Sequence, residues 1–280
     1  MFLPILFVMA CTASEPSPVA ITTNPTNDKW VIQEEGKTIE TRFPTPKGYE
    51  RLASSYATFL RRIPLKASGT LVHLYDGQLK SNQHAHAAIL DYDTGNKDLQ
   101  QCADAVMRIR AEYLFAEKKF DQIHFNFTNG FVAKYIYWMQ GKRLQYRNGS
   151  FHWIASNNVD SSHDNLRSYL DYVYNFAGSL SLSKELEAVS SLQDIQPGDV
   201  WILGGSPGHA VTVMDVAINS KGEKIYMLSQ GYMPAQDIHI LKNETNPQLS
   251  PWYAVKEIET YLLTPEYTFP RNSLKRFKSE

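Results

Sequence analysis

Two apolar runs flanking a glycine-rich turn dominate the C-terminal half of the chain. A Pro-Gly-Asp turn leads into the apolar residues 200–203, and the glycine-rich residues 204–208 form a second turn. His209 then opens the β-branched run 210–217, which a polar turn separates from a returning run at 224–230. This pattern predicts an antiparallel sheet at the C-terminal end.

Helical spacing of apolar residues is clearest over residues 98–118. Asp98, with Gln101 three residues later, resembles the start of a capping box. The residues that recur at helical spacing are Leu99, Cys102, Val106, Ile109 and Tyr113. Shorter helices are predicted over residues 56–63, 163–176 (with Gly178 as a stop) and 183–189, and a strand over residues 70–74. The whole predicts one α+β domain over residues 29–280, with helices first and the sheet last.

The predicted hairpin decides which side chain lies beside His209. If its turn is centred at residues 220–221, Val211 faces Gln230, and Gln230 lies diagonally beside His209 on the same face of the sheet. Asp215 shares that face, but six residues along a strand span roughly 20 Å. We therefore expect Gln230, rather than Asp215, to orient the imidazole. A slip of one residue in the register would remove this contact.

Cys102, His209 and Gln230 together form a candidate catalytic set. Cys102 falls in the first or second turn of the predicted helix, where unpaired N–H groups favour a thiolate and lower a thiol pKa. A histidine where a loop enters a strand suits a general base, so the thiolate could attack an amide carbonyl and form an acyl-enzyme. The Cys102 N–H could stabilise the oxyanion, with Gln83, Gln100 or Gln101 as candidate side-chain donors.

Each of these residues also has a structural interpretation. Cys102 lies on the apolar stripe of its helix and could pack there as a small hydrophobic residue. His209 could be a buried histidine of the sheet whose ring is hydrogen-bonded for structural reasons.

His84 and His86, with Asp91 and Asp93 nearby, suggest a metal site, but no third ligand stands at a recognisable spacing. We therefore predict no metal and no cofactor.

The N-terminal segment predicts membrane attachment through a lipid. Residues 1–10 are almost wholly apolar, too few to span a bilayer, and the following Cys11 completes a Val-Met-Ala-Cys sequence that resembles a bacterial lipobox. Residues 1–10 would be a signal peptide, Cys11 the lipidated residue, and residues 11–28 a flexible tether. The protein would then reside in the bacterial cell envelope, in the periplasm or at the cell surface, on either membrane.

The composition argues against nucleic acid as a partner, and the cysteine count leaves one free thiol. The formal net charge is -1 without a basic stripe, so nucleic acid is not a predicted partner. The chain has two cysteines. With Cys11 lipidated, Cys102 cannot form an intramolecular disulfide.

The sequence around the candidate set resembles two groups of proteins. The chain has a Gln-Cys pair where a helix begins, and Pro-Gly-Asp and Gly-His sequences where strands begin. In this respect it is similar to the papain-like cell-wall amidases and endopeptidases of the CHAP and NlpC/P60 type. That resemblance implies a Cys-bearing helix packed on an antiparallel sheet bearing His, with residues 120–189 as a large insertion, and peptidoglycan peptides as substrate. The motifs YDG, LQQCADAV, FTNG, SLSKEL and YMPAQDIHIL resemble the lipoproteins of domain of unknown function 4846.

Two alternatives remain open at this stage. A transglutaminase-like protease would need an aspartate as its third residue, for which Asp215 looks too distant. A non-catalytic lipoprotein would bury Cys102 and use the aromatic segments 131–138 and 232–252 to bind a peptide or glycan. We expect the basic tail, residues 264–280, to wrap the surface with Phe269 as an anchor.

Overall fold

The computed structural model describes residues 30–156 and 158–278. The proposed signal peptide, Cys11 and the tether lie outside these residues. Within them the helices are α1 (Ile39–Arg42), α2 (Ser55–Arg62), α3 (Cys102–Ala116), α4 (Tyr135–Met139), α5 (His163–Tyr174) and α6 (Ser179–Glu185). The strands are β1 (Tyr49–Arg51), β2 (His86–Ile89), β3 (His124–Asn126), β4 (Val132–Lys134), β5 (Lys142–Arg147), β6 (Ser150–Ala155), β7 (Glu187–Ala188), β8 (Val200–Leu203), β9 (His209–Asn219), β10 (Lys224–Gln230), β11 (His239–Leu241), β12 (Tyr253–Ala254), β13 (Tyr261–Leu263), β14 (Thr268–Pro270) and β15 (Leu274–Arg276).

One large antiparallel sheet organises the mixed α/β fold. Its strand order is β2-β11-β10-β9-β8-β15-β7, with β1 added to β9 and β12 added to β10. The central strand β9 is 11 residues long and its first nine residues are buried, because helices cover one face and C-terminal segments the other. The predicted sheet at the C-terminal end is confirmed.

A β-bulge sets the register between β9 and β10. Near the turn Met227 faces Asp215, one residue away from the predicted pairing, but Leu228 then faces Val213. Because a bulge adds one residue to one strand, it restores the predicted register beyond that point, where Ser229 faces Thr212. The register was therefore wrong beside the turn and correct at the end of the strand that carries His209.

Helix α3 lies against the sheet and is buried on almost every side. Ala105 and Ile109 pack in one cluster with Met214 and Met227 of the sheet. Burying an isoleucine or methionine side chain contributes about 1.5–3 kcal/mol. Residues 120–189 supply two hairpins and helices α4 to α6, whose aromatic core packs on other residues of α3, including Met107. The helix is thus held on both sides, which fixes the position of its first residue, Cys102.

Helix α3 begins at Cys102 rather than at the predicted Asp98. The Oδ1 atom of Asp98 accepts hydrogen bonds from the Gln101 side chain at 3.0 Å and from the Ala235 N–H at 2.6 Å, so it serves a loop contact. The cap is formed instead by Asp104, whose Oδ2 accepts from the Gln101 N–H at 3.0 Å. Cys102 is therefore the first residue of the first turn.

Three other segments differ from their predicted structure. Residues 70–74 form only isolated bridges, such as His73 with Leu79, and no strand. Gly178 does not end α5 but precedes α6, which runs over Ser179–Glu185 rather than residues 183–189. The tail does not merely wrap the surface, since β15 pairs with β8 inside the main sheet. Phe269 is fully buried, as expected of an anchor. No helix in the described part of the chain is long and apolar enough to cross a membrane.

Candidate functional site

A groove of about 670 Å³ opens where the start of α3 meets the start of β9. Cys102 lines it from the helix and His209 from the sheet. The turn at residues 204–208 and the segment that joins α5 to α6 form its opposite wall, while Tyr232 and Tyr267 lie beside the imidazole. The structure thus brings the predicted thiol and the predicted base into one groove.

The Cys102 thiol is half-buried, and its environment opposes ionisation. Burial, with a smaller contribution from the nearby Asp104, raises the pKa of the thiol to about 11. The N–H groups of Ala103, Ala210 and Cys102 itself act in the opposite direction without compensating for the desolvation. The prediction of a lowered thiol pKa was therefore wrong, because loss of water outweighs the helix N-terminus. The resting thiol is protonated at neutral pH.

His209 is a buried imidazole held between aromatic rings. Its ring centroid lies 5.0 Å from that of Tyr232, 4.9 Å from that of Tyr267 and 5.9 Å from that of Phe269. Burial lowers the pKa of His209, although the hydrogen bond to Gln230 and the charge of Glu266 oppose part of that shift. The ring is consequently neutral at neutral pH, the form that a general base requires.

Gln230 contacts His209 as the predicted register requires. The Nε2 atom of His209 lies 2.9 Å from Oε1 of Gln230. The Gln230 amide nitrogen lies 2.6 Å from Oε2 of Glu266 and 3.3 Å from Nε2 of His239. The other nitrogen of His239, Nδ1, lies 2.9 Å from the Asp237 carbonyl oxygen and must donate to it.

This network determines which nitrogen of His209 carries the proton. A carboxylate only accepts, so Glu266 requires the NH₂ end of the Gln230 amide and leaves the carbonyl oxygen facing His209. Nε2 of His209 therefore donates to Gln230, and Nδ1 retains its lone pair. No hydrogen bond joins this ring to the Cys102 sulfur among the described residues. The network thus leaves Nδ1 as the nitrogen able to take a proton.

Glu266 and Lys80 are the residues that the sequence reasoning missed. Glu266 lies in the turn between β13 and β14, where its second oxygen accepts from Lys80 and from Asn82. The Lys80 side chain is only 6% exposed, and its ammonium lies 5.3 Å from the centre of the Tyr232 ring. No spacing in the sequence connects residues 80 and 266, so only the folded tail reveals this ion pair.

Of the three candidate oxyanion donors, only Gln101 is at the groove. Gln101 lines the groove, and its side-chain amide nitrogen donates to Asp98. The Gln83 amide is bound to Val72 in a loop, so the alternative with Gln83 was wrong. Gln100 is buried beside Arg108 and cannot reach the groove either. An oxyanion could therefore meet the Cys102 N–H and Gln101.

Asp215 belongs to a separate cluster within β9. It is fully buried and bound by Arg51 at 2.6 Å and by Arg61 at 3.3 Å. The group beside His209 is an amide, and the nearest carboxylate, Glu266, acts through that amide. The arrangement differs from the Cys–His–Asp set that the transglutaminase alternative requires.

The histidines considered as metal ligands have other partners or face solvent. His86 lies with Nε2 3.1 Å from the Thr70 carbonyl oxygen, and His84 is exposed. Across the described residues, no three His, Cys, Asp or Glu side chains are grouped so that they could hold a metal ion.

One comparison with known proteins gives a match, and it covers most of the chain. A family model described as domain of unknown function (4846) matches residues 39–276, which include Cys102, His209, Gln230 and Glu266. No curated protein and no solved structure matches.

Proposed function

The chain belongs to the family of domain of unknown function 4846, and we propose that it is a cysteine hydrolase that cleaves an amide bond through a thiol acyl-enzyme. The observation that carries the proposal is the chain of hydrogen bonds from Glu266 through Gln230 to Nε2 of His209. Gln230 and Glu266 fix its proton on Nε2, and Nδ1 is left as a base at a groove that also holds Cys102. A histidine satisfied for structural reasons alone has no need of such a network.

The reaction follows from the roles of these groups. Nδ1 of His209 takes the thiol proton as Sγ of Cys102 bonds to the carbonyl carbon, so a protonated thiol is a suitable resting state. The Cys102 N–H and Gln101 stabilise the oxyanion, and the imidazolium then gives its proton to the leaving amine. Water, deprotonated by His209, releases the acyl group as a carboxylic acid and restores the thiol.

The substrate and the location are extensions of the same proposal. The resemblance to CHAP and NlpC/P60 enzymes, with a Cys-bearing helix on a His-bearing antiparallel sheet, supports a papain-like core and peptidoglycan peptides as substrate. The lipobox-like sequence ending at Cys11 supports a lipid anchor in the bacterial envelope.

A second candidate function has one observation in its favour. The pKa of Cys102 is raised to about 11 by burial, as for a packed and unreactive thiol. In a binding lipoprotein the same groove would hold a peptide or glycan without cleaving it. The two functions differ in whether the folded protein lets Cys102 react.

Alkylation of Cys102 followed against pH separates them. In a Cys11→Ser chain Cys102 is the only thiol. The hydrolase predicts alkylation in the folded state that depends on His209 and slows in His209→Ala, together with cleavage of peptidoglycan fragments detected by mass spectrometry. A thiol that reacts only after unfolding in urea would exclude the hydrolase and leave the binding protein.

A further inference from the structure

A second pocket, of about 270 Å³, lies where the turn before β8 meets the second half of α3. None of its lining residues lines the groove that holds Cys102. In the described part of the chain, its charged lining consists of one acidic and four basic residues, namely Asp199, Arg110, Lys119, Arg276 and Lys278. The pocket therefore carries an excess of positive charge.

The carboxylates nearest to this pocket already have partners. Asp199 is 1% exposed, and it accepts from the Arg276 guanidinium at 2.6 and 2.9 Å and from the Gln196 N–H at 2.9 Å. Glu185, which lines an adjacent depression, accepts from a backbone N–H at 2.8 Å. Among the described residues, neither carboxylate forms a salt bridge with Arg110.

Arg110 is held by aromatic rings instead of by a carboxylate. Its guanidinium carbon lies 5.4 Å from the centre of the Tyr56 ring, 5.8 Å from that of Tyr113 and 5.2 Å from that of Phe277. The ammonium of Lys119 lies 5.6 Å from the centre of the Tyr113 ring. Ring faces attract a cation but leave its N–H donors unused. Within residues 30–156 and 158–278 neither cation has a hydrogen-bond or salt-bridge partner, and their nitrogens are open to solvent.

The pocket also offers neutral donors beside these cations. Burial raises the pKa of Tyr56 above its ordinary value, so the phenol keeps its proton. Its hydroxyl and the side-chain amide of Gln122 have no hydrogen-bond partner among the residues that the structure describes. Gly198 lets the Tyr56 ring lie against the turn, because a Cβ at this position would collide with the ring. The unpartnered groups can thus all donate a hydrogen bond.

We propose that this pocket binds a phosphate monoester, with Arg110 and Lys119 as its charge partners. Two cations match the charge of about −1.5 to −2 that a phosphate monoester carries at neutral pH, better than they match a single carboxylate. The planar guanidinium can donate two parallel hydrogen bonds to phosphate oxygens, and the Tyr56 hydroxyl can donate another. The site does not depend on the proposed hydrolase. The phosphate belongs either to a small soluble ester or to a lipid headgroup.

The test measures binding to the full chain by calorimetry. Glycerol 3-phosphate is compared with glycerol, which lacks the phosphate, and with succinate, whose two negative charges sit on separate carboxylates. Vesicles of phosphatidylcholine with and without phosphatidic acid form the second arm, and comparing them removes any contribution of the N-terminal segment. We expect at least one of the two phosphates to bind about 10-fold or more tightly than succinate, and glycerol not to bind. The phosphate that binds more tightly identifies the source.

Two variants assign the binding to this pocket. Arg110→Gln is expected to weaken phosphate binding about 30-fold, and Lys119→Met about 10-fold. Lys119→Met keeps the apolar stem of a partly exposed side chain, so it serves as the test if Arg110→Gln does not fold. The matched control is Arg147→Gln, which removes an exposed cation outside the pocket and is expected to leave the affinity unchanged. No binding of either phosphate, succinate binding as tightly as the phosphates, or an affinity that survives in both pocket variants would overturn the proposal.

Discussion

Strand β9 carries two buried polar clusters that are built differently. Asp215, inside the strand, is enclosed by two arginines, and its carboxylate is committed to them. His209, at the start of the strand and lining a groove, is hydrogen-bonded through Nε2, and within residues 30–156 and 158–278 its other nitrogen has no hydrogen-bond partner. A buried charge whose partners are complete holds the fold together. The second nitrogen of the buried His209 ring is the feature on which the proposed catalysis depends.

The largest expected effect is on catalysis in the His209 cluster. His209→Ala removes the general base of the proposed hydrolase, and under that proposal we expect kcat/KM for a cleaved peptide to fall roughly 1,000-fold or more. The melting temperature should also fall, because the variant leaves a cavity among the aromatic rings and the Gln230 oxygen without its partner, so kcat/KM is compared per folded molecule. If the variant retained wild-type kcat/KM, His209 would be a structural residue like Asp215.

The Asp215 cluster should show the reverse behaviour. Asp215→Asn leaves Arg51 and Arg61 without a counter-charge, and we expect the free energy of unfolding in urea to fall by about 3–5 kcal/mol. Activity per folded molecule should be unchanged. The matched control is Asp171→Asn, which breaks a surface pair with Lys97 and should cost less than about 1 kcal/mol. Equal losses in both variants would contradict the distinction between the clusters.

Lowering the pH should reduce the free energy of unfolding through His239, a buried neighbour of the His209 cluster. Burial lowers the pKa of His239 from 6.5 to about 4, so the unfolded chain binds this proton more readily than the folded one. Stability from this group is therefore complete above pH 6.5 and falls as the pH falls toward 4, by at most about 3 kcal/mol.

The measurement is urea unfolding at several pH values, in the wild type and in His239→Gln. The variant should lose less stability between pH 6.5 and 4. Taking the difference between the two proteins removes the contributions of the other titrating groups. If stability depended on pH identically in both proteins, the pKa of His239 would not be lowered in the folded state.

The smallest effect concerns Glu266, which acts on His209 through Gln230. Glu266→Gln leaves the longer contact with His239 to hold the NH₂ end of the Gln230 amide in place, and we expect about a 10-fold loss in kcat. Because the charge of Glu266 raises the pKa of His209, its removal lowers that pKa further. The acid limb of kcat/KM should therefore move to lower pH.

The control is the double variant Glu266→Gln with Lys80→Met. It removes the unpaired ammonium that the single variant leaves buried. If full activity returned, the loss would come from the stranded Lys80 charge rather than from the orientation of Gln230.

The sequence predicted the parts of the site that depend on local spacing. The turn and the strand beginning at His209 follow from neighbouring residues, and so does the contact with Gln230. That contact nevertheless depended on the bulge between Met227 and Leu228, because the bulge offsets the one-residue error in the predicted strand pairing beside the turn. Such a bulge leaves no clear mark in the pattern of apolar residues.

The remaining features depend on contacts between distant parts of the chain. Asp98 could not be identified as a loop residue, because its partner is the N–H of Ala235. The pKa of Cys102 depends on how completely the surrounding segments bury it, which helical spacing does not reveal. Glu266 reaches Gln230 only because the hairpin of β13 and β14 folds back over the sheet.

The path of the tail determines when, during folding, the surroundings of His209 at the groove can be completed. Strand β15 pairs with β8, and the preceding hairpin delivers Glu266, Tyr267 and Phe269 to His209. These contacts join residues separated widely along the chain, so loop closure makes them slow to form. During synthesis the imidazole would remain without its final supports until residues 261–276 had emerged. The order of translation would thereby delay assembly of the groove until the rest of the protein had folded.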